Sequence, residues 1–473
     1  MEGQSLLRAM RWRVVAVVFL LAFITIAVRV CISSAKLEMA HDLHITDVEF
    51  GWVFGVFALG YAIAMVPAGW IGDRLGPRIF LAAMVCGWAL MTVATGFVTG
   101  LTSLIIFRLL FGLAEAGVYP IATKALYEWI APAERASALG LLNAGSRLGA
   151  ALGLAIASYI ILWLGWRACF WLLGAAALAW AAGWYIWYRD EPADKRGISR
   201  AELEYIRSSK ATEPALAKIG GSWLGVLFSA SGQLLLFQYF ANNFSLFVVY
   251  SWMLPYLQQR FQISSGRVGI YAGMPIYCGV LATFAGGLTV DSLFRRGYGR
   301  WSSAIPAMAG FTLASIGQTM ASFATSTGWF IFWFGVVVLG LDFTVSSSWT
   351  VCSDLGREHT GVVSGGMNMM GAIGSFACSL AFPYALRSSG RTEAFFFAAA
   401  ALDILAIVCW FGLGWGIAGR GWRLRFQVLR KQMGARDLYR SVYATPSQNI
   451  RWCSTNGSGL IKVREAPCPG GIE

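Results

Sequence analysis

The chain has 473 residues, of which 57% are hydrophobic, 14% aromatic and only 13% charged, with a mean hydropathy of +0.60. A soluble domain carries about 25% charged residues, so a water-soluble enzyme of one or two domains is excluded, and apolar runs of about 20 residues exclude a membrane barrel, whose strands alternate over about 10. The excess of 37 basic over 24 acidic side chains, net +13, would suggest nucleic acid in a soluble protein; in a membrane protein the inner loops collect Lys and Arg.

Twelve apolar segments lie at 12–34, 50–72, 79–99, 102–127, 136–160, 166–188, 225–258, 268–292, 300–323, 328–351, 361–386 and 393–417. Each can cross a hydrocarbon core of about 30 Å as a helix. Helices are required because lipid offers no partner to a free backbone group. The first run continues through Arg29 into Ser33-Ser34-Ala35-Lys36, so it reads as a span and not as a cleaved leader. A long polar break at 190–222 divides the chain into residues 1–189 and 223–417, each with six spans. Residues 418–473 read as a disordered cytoplasmic tail. With the N-terminus inside, 27 of the 37 basic residues fall on the inner side and 6 (Lys36, Arg167, Arg260, Arg267, Arg387, Arg391) in outer loops. Both termini are therefore expected in the cytoplasm. The expected fold is an all-α membrane protein of twelve transmembrane helices in two six-helix bundles.

The loop after the second span reads Gly69-Trp-Ile-Gly-Asp73-Arg74-Leu-Gly76-Pro-Arg78, and that after the eighth reads Gly287-Leu-Thr-Val-Asp291 before Arg295 and Arg296. Gly followed by Asp four residues on, then basic groups, at matching places in both halves, suggests repeats and a gate. The glycine allows close helix contact and the carboxylate can pair across the bundle; Asp73, Arg74, Arg78 and Asp291 are the gating candidates.

These residues resemble the major facilitator superfamily. Within it, several stretches resemble the anion:cation symporter family of sugar-acid, hexuronate and phthalate transporters, sialin and the vesicular glutamate carriers. They are Gly60-Tyr61 with Pro67-Ala-Gly69-Trp70, Arg108 to Pro120 around Glu115, Glu134-Arg135 with Asn143-Ala-Gly-Ser146 and Gly149, Gly165-Trp166-Arg167 with Phe170, Arg189-Asp190-Glu-Pro192, and Gly361-Val-Val-Ser364-Gly-Gly-Met-Asn368. The resemblance covers residues 10–417. It implies a monomeric secondary transporter of the bacterial inner membrane that takes up a small organic carboxylate with a cation.

Ionisable groups inside spans cost at least about 2.5–3.5 kcal/mol each and are functional candidates by default. They are Arg29, Arg108, Glu115, Lys124, Arg147, Asp342 and Asp403. A guanidinium grips a carboxylate through two parallel hydrogen bonds; Arg29, between Val28 and Val30, suits the substrate anion, and the resemblance implies that role. Arg108 and Glu115 are two turns apart on one face, and the resemblance implies cation coupling by this pair, with a proton at Glu115. Many proton-coupled members have Asp directly before the first-span Arg; here it is Val28, as in sialin and the vesicular carriers, which lack that Asp. Coupling to sodium, or none, therefore stays an alternative, as does a nutrient sensor signalling through the tail. Arg147, about 17 Å along its helix, reaches mid-membrane; facing the cavity it adds a second cation and favours a doubly charged acid, and at the inner end it would snorkel. Tyr61, Ser146 and Asn368 match substrate contacts of the family, and Ser346, Ser348 and Trp349 are expected to line the same cavity. Asp342 is a candidate second coupling carboxylate, whereas Asp403 suits a helix-interface partner. Trp252-Met-Leu-Pro255-Tyr256 looks like a kinked outer gate helix.

Other signals carry no function. The nine cysteines lack CxxC spacing, His41 and His44 read as solvated loop residues, and Asn243-Phe-Ser245 lies inside a span. No nucleotide loop, nucleophile elbow or metal site is present in the sequence, so no cofactor is expected.

Overall fold

A computed structural model describes residues 9–131, 134–211, 223–356, 360–389 and 392–416, and among them every regular element is helical. The expected tail at 418–473 lies outside the described residues, as does 212–222 of the polar break. The helices are α1 (Met10–Asp42), α2 (Asp47–Thr95), α3 (Leu101–Glu115), α4 (Val118–Trp129), α5 (Arg135–Trp187), α6 (Arg200–Ala211), α7 (Trp223–Leu227), α8 (Ala230–Ser251), α9 (Met253–Phe261), α10 (Ser265–Arg295), α11 (Trp301–Ser322), α12 (Thr327–Phe343), α13 (Val345–Gly356), α14 (Thr360–Ser389) and α15 (Glu393–Gly416). The described residues of the expected apolar segments fall on these helices apart from short stretches at ends and breaks. Among the described residues, ten helices are long and apolar enough to cross a membrane.

Two helices are far longer than a bilayer needs, and each is broken by glycine. Gly76 in α2 has φ 76° and ψ 156°, and Gly165 in α5 has φ 78° and ψ 165°. A side chain is strained at such angles. Pro77 follows Gly76 at the start of the next helical stretch, where a missing N–H is harmless. The Asp190 carboxylate accepts the Arg78 N–H at 2.8 Å, so an anion caps that new helix start. Burial pushes the Asp190 acid upward, while the Arg78 N–H and charge pull it down.

Small residues let the helices close on one another. Gly145, Gly149 and Gly153 recur every four residues along α5 and face α1 at Phe19, Phe23 and Ala27; a Cβ on Gly149 would stand 2.3 Å from the Phe23 carbonyl oxygen. The two halves meet on the side away from the start of α1 and the end of α15. There Gly51 and Gly55 of α2 lie against Phe376, Ser379 and Pro383 of α14, and Gly269 and Gly273 of α10 lie against Ala151 to Ser158 of α5. The helix expected to kink breaks at Trp252, between α8 and α9. That indole packs on Phe54 at 5.2 Å and donates to the Ser379 carbonyl at 3.1 Å. The Ser33 hydroxyl donates to the Ser251 carbonyl at 2.6 Å.

One assignment is corrected here. Lys36 does not sit in a loop: α1 runs on to Asp42, and the Lys36 side chain is buried, paired with Asp47 and lying over the Trp252 ring. The helix outlasts the apolar run because it closes onto α9 rather than ending at the lipid boundary.

Candidate functional site

Between the halves lies a cavity of about 150 Å³ whose walls include Arg29, Phe57 and Tyr61 from the first half and Asn243, Tyr250, Asn368 and Ser375 from the second. Arg29, Tyr61 and Asn368 were expected in it. The Arg29 guanidinium lies over the rings of Phe57 and Tyr61, with centroids at 5.1 and 5.2 Å. Its Nε donates to Glu115 Oε1 at 3.0 Å and its Nη2 to the same oxygen. The Arg29 side chain keeps 21% exposure while that of Glu115 keeps none. One oxygen of Glu115 thus receives two donors and the other, Oε2, receives none. The cation is shared between a buried acid and an open cavity.

Arg108 and Glu115 do lie on one face of α3, but Arg108 forms no ion pair among the described residues. It is buried, its Nε has no hydrogen-bond partner, and its guanidinium rests on Phe57 and Phe111 at 5.4 and 4.8 Å. Glu115 takes Arg29 instead. Directly after Glu115 the span breaks, and α4 starts at Val118. Tyr119 follows one turn later, its hydroxyl 2.9 Å from Ser146 Oγ. Ser146 spends its own hydrogen on the Leu142 carbonyl or on Tyr119.

Arg147 is held by partners on the facing helices and keeps 19% of its side chain exposed. Its Nη1 donates to the Tyr250 hydroxyl at 2.7 Å and its Nη2 to Asp342 Oδ1. Its charge is therefore not an unmatched second cation, as cavity-facing placement alone would have made it. Asp342 is wholly buried, and its Oδ2 has no partner. The tenth span also breaks just after its acid: α12 ends at Phe343, and the Leu341 carbonyl accepts from the Thr344 hydroxyl at 2.7 Å and from Asn242 at 3.0 Å. Asp403 accepts from Ser245 at 2.8 Å, at the interface expected for it.

The expectation is corrected for Ser146, Arg147, Ser346, Ser348 and Trp349, which are not among the residues lining this cavity. Ser346 donates to the Thr283 carbonyl at 3.1 Å, and Trp349 is 41% exposed. Ser348 is buried against Gln238 at 3.2 Å. Of the gate candidates, Arg74 stacks on Trp70 at 3.7 Å and Arg78 donates to the Tyr185 carbonyl at 3.0 Å. Asp291 is exposed, and the Asp73 side chain lies outside the described residues.

Tyr119, Asn243 and Tyr250 were missed. Asn243 and Tyr250 are seven apart on α8, two turns along one face of an apolar span. That spacing was a usable signal, hidden behind the reading of Asn243 as a rejected glycosylation site.

A family profile described as Major Facilitator Superfamily matches residues 18–379. The chain belongs to the Major Facilitator Superfamily. It is an integral, multi-pass membrane transporter and not an enzyme. It is 26% identical over 401 residues to a probable sulfoacetate transporter of Cupriavidus necator, covering 83% of this chain and 91% of that one. It is 26% identical to a D-galactonate transporter of Escherichia coli, covering 84% and 94%, and 26% identical to a probable galactarate/D-glucarate transporter of Bacillus subtilis, covering 81% and 87%. The superfamily fold is seen again in a bacterial homolog of the human lysosomal transporter Spinster, crystallised inward-facing and unoccupied. It matches at a TM-score of 0.69 and 17% identity, covering 85% of this chain and 97% of that one.

Proposed function

We propose that the protein imports a small organic carboxylate together with a proton by alternating access. The observation that carries this is the divided arginine: Arg29 faces the cavity between the halves while its inner edge holds a buried Glu115. An incoming carboxylate competes for that guanidinium. Once displaced, Glu115 sits buried without a counter-ion, and an isolated buried carboxylate is relieved by taking a proton. Anion binding and proton uptake are thereby linked through one side chain. The relatives named for galactonate, glucarate and sulfoacetate support an organic acid as cargo. A cavity of about 150 Å³, below the roughly 300–1,000 Å³ of drug-sized pockets, favours a compact one. Both termini lie in the cytoplasm in this reading, and the sealed side faces outward.

The test is uptake into proteoliposomes holding the full chain, offered galactonate, D-glucarate and sulfoacetate under an imposed inward proton gradient. Accumulation above equilibrium that a protonophore abolishes is the expected result. Accumulation driven by sodium alone would reassign the coupling ion, and no uptake of any acid would overturn the reading.

A further inference from the structure

Arg147 and Asp342 form a pair that the import cycle above does not use, and it shares three features with Arg29 and Glu115. First, each acid is wholly buried and each arginine side chain is about one-fifth exposed, at 21% for Arg29 and 19% for Arg147. Second, each acid satisfies one oxygen and leaves the other bare, as Asp403 also does, but in these two the filled oxygen is held by a partly exposed arginine. A pair kept only for structure is expected to fill both, because a half-satisfied buried ion pair is poor value against its desolvation. Third, each acid sits at the last turn before its span breaks.

Tyr250 ties this pair to the cavity. It lines the same walls as Arg29, and its hydroxyl accepts from Arg147 Nη1 at 2.7 Å. Arg147 is not itself among the lining residues and meets the cavity wall through Tyr250; its Nε makes no hydrogen bond among the described residues and its side chain keeps 19% exposure. Tyr250 thus touches the Arg147 guanidinium and shares a cavity wall with Arg29.

The geometry points to Arg147 as a second anion-binding group, held by Asp342 while the cavity is empty and given over to the second acid group of a compact dianion when one enters. This deepens the proposed function and rests on it. A substrate gripped at both ends by arginine gains two charge-assisted contacts where a monoanion gains one. Asp342, once displaced, takes a proton from the bulk solution by way of water in the cavity. Arg147 is the charged group set against Asp342; Tyr250 of α8 faces the same guanidinium, while α10 presents Gly279 and α11 presents Gly310 close to Gly340. Two acids each accepting a proton balance a dianion, so the loaded cavity carries the same net charge as the empty one and crosses the membrane potential without charge movement.

Binding to the purified full chain tests this, with sulfoacetate and D-glucarate as dianions and galactonate as the monoanion, read by intrinsic tryptophan fluorescence. In the native protein the dianions should bind about tenfold tighter or more. The neutral double variant Arg147→Gln/Asp342→Asn, which leaves no uncompensated buried charge, should lose that preference. Asp342→Asn alone, which removes the competitor for Arg147, should raise it, an outcome that a purely structural pair would not produce. Galactonate binding as tightly as the dianions overturns the inference and leaves the proposed function standing, as does a preference that survives in the double variant or fails to rise in Asp342→Asn. Binding of none of the three acids overturns both.

Discussion

The two arginine–carboxylate pairs look alike in chemistry and differ in what they join. Arg29 and Glu115 lie on α1 and α3, both within the first half, so their bond can persist however the halves rock. Arg147 and Asp342 lie on α5 and α12, one in each half, so theirs spans the moving boundary. A pair inside one body can respond to a ligand without changing the relation of the bodies. A pair between bodies cannot, since losing it also loosens the interface. The same buried acid with one bare oxygen is therefore a local exchange site in the first case and a coupling between binding and bundle position in the second.

The largest effect that separates the pairs comes from Arg29→Ala. It removes the anion's grip and leaves Glu115 buried without its partner. Removing one member of a buried pair costs about 3–5 kcal/mol, which as lost affinity is more than a hundredfold. Uptake and binding of every carboxylate should disappear together, and an Arg29→Ala protein that still accumulates the acid would sink the site assignment. Glu115→Gln comes next. It keeps the shape and a hydrogen bond for Arg29 but cannot exchange a proton. Accumulation against a gradient should be lost, while exchange of labelled for unlabelled acid across the membrane persists. If the Gln variant still concentrates acid under a proton gradient, the coupling site lies elsewhere.

Much of this arrangement was legible in the chain alone, and the part that was not has a physical cause. Charges in lipid are rare enough that Arg29, Glu115, Arg147 and Asp342 all stood out by position. Their partners did not, because pairing depends on which helix faces which. Arg108 shares a face with Glu115, yet Glu115 is paired with Arg29 of another helix in the same half. Ser346 and Trp349 follow the acid on the same span, but which of its sides meets the cavity depends on how it packs: Ser346 turns to the Thr283 carbonyl and Trp349 is exposed. Lys36 was assigned by hydropathy, which sees where apolar character ends and not where a helix keeps packing. Gly76 and Gly165 were visible as residues, but the need for positive φ at each appears only once two rods are seen to share one run of helix.

A smaller effect probes whether the pairs share a scaffold. Gly149 lies on the α5 face that packs on α1, and α1 and α5 carry Arg29 and Arg147. With Val there, a Cβ 2.3 Å from the Phe23 carbonyl would force the helices apart, and overpacking of this kind costs about 1–3 kcal/mol. The melting temperature of the purified protein should fall, and affinity for monoanions and dianions should weaken together. A Gly149→Val protein with unchanged thermal stability would mean that α1 and α5 are not held at this contact.

The smallest effect comes from Tyr250→Phe, and it bears on the second pair alone. The ring that lines the cavity stays, and only the hydroxyl accepting from Arg147 Nη1 at 2.7 Å is lost. A hydrogen bond to a charged group contributes about 1.5–3 kcal/mol, but Arg147 keeps Asp342, and its released Nη1 can turn to cavity water. A net change near 1 kcal/mol, about fivefold in affinity, is the expected outcome. The loss should fall on D-glucarate and sulfoacetate more than on galactonate, because Arg29 does not touch that hydroxyl. Equal weakening of all three acids would mean that the tyrosine acts on the cavity as a whole, and the boundary drawn between the two pairs would then be in the wrong place.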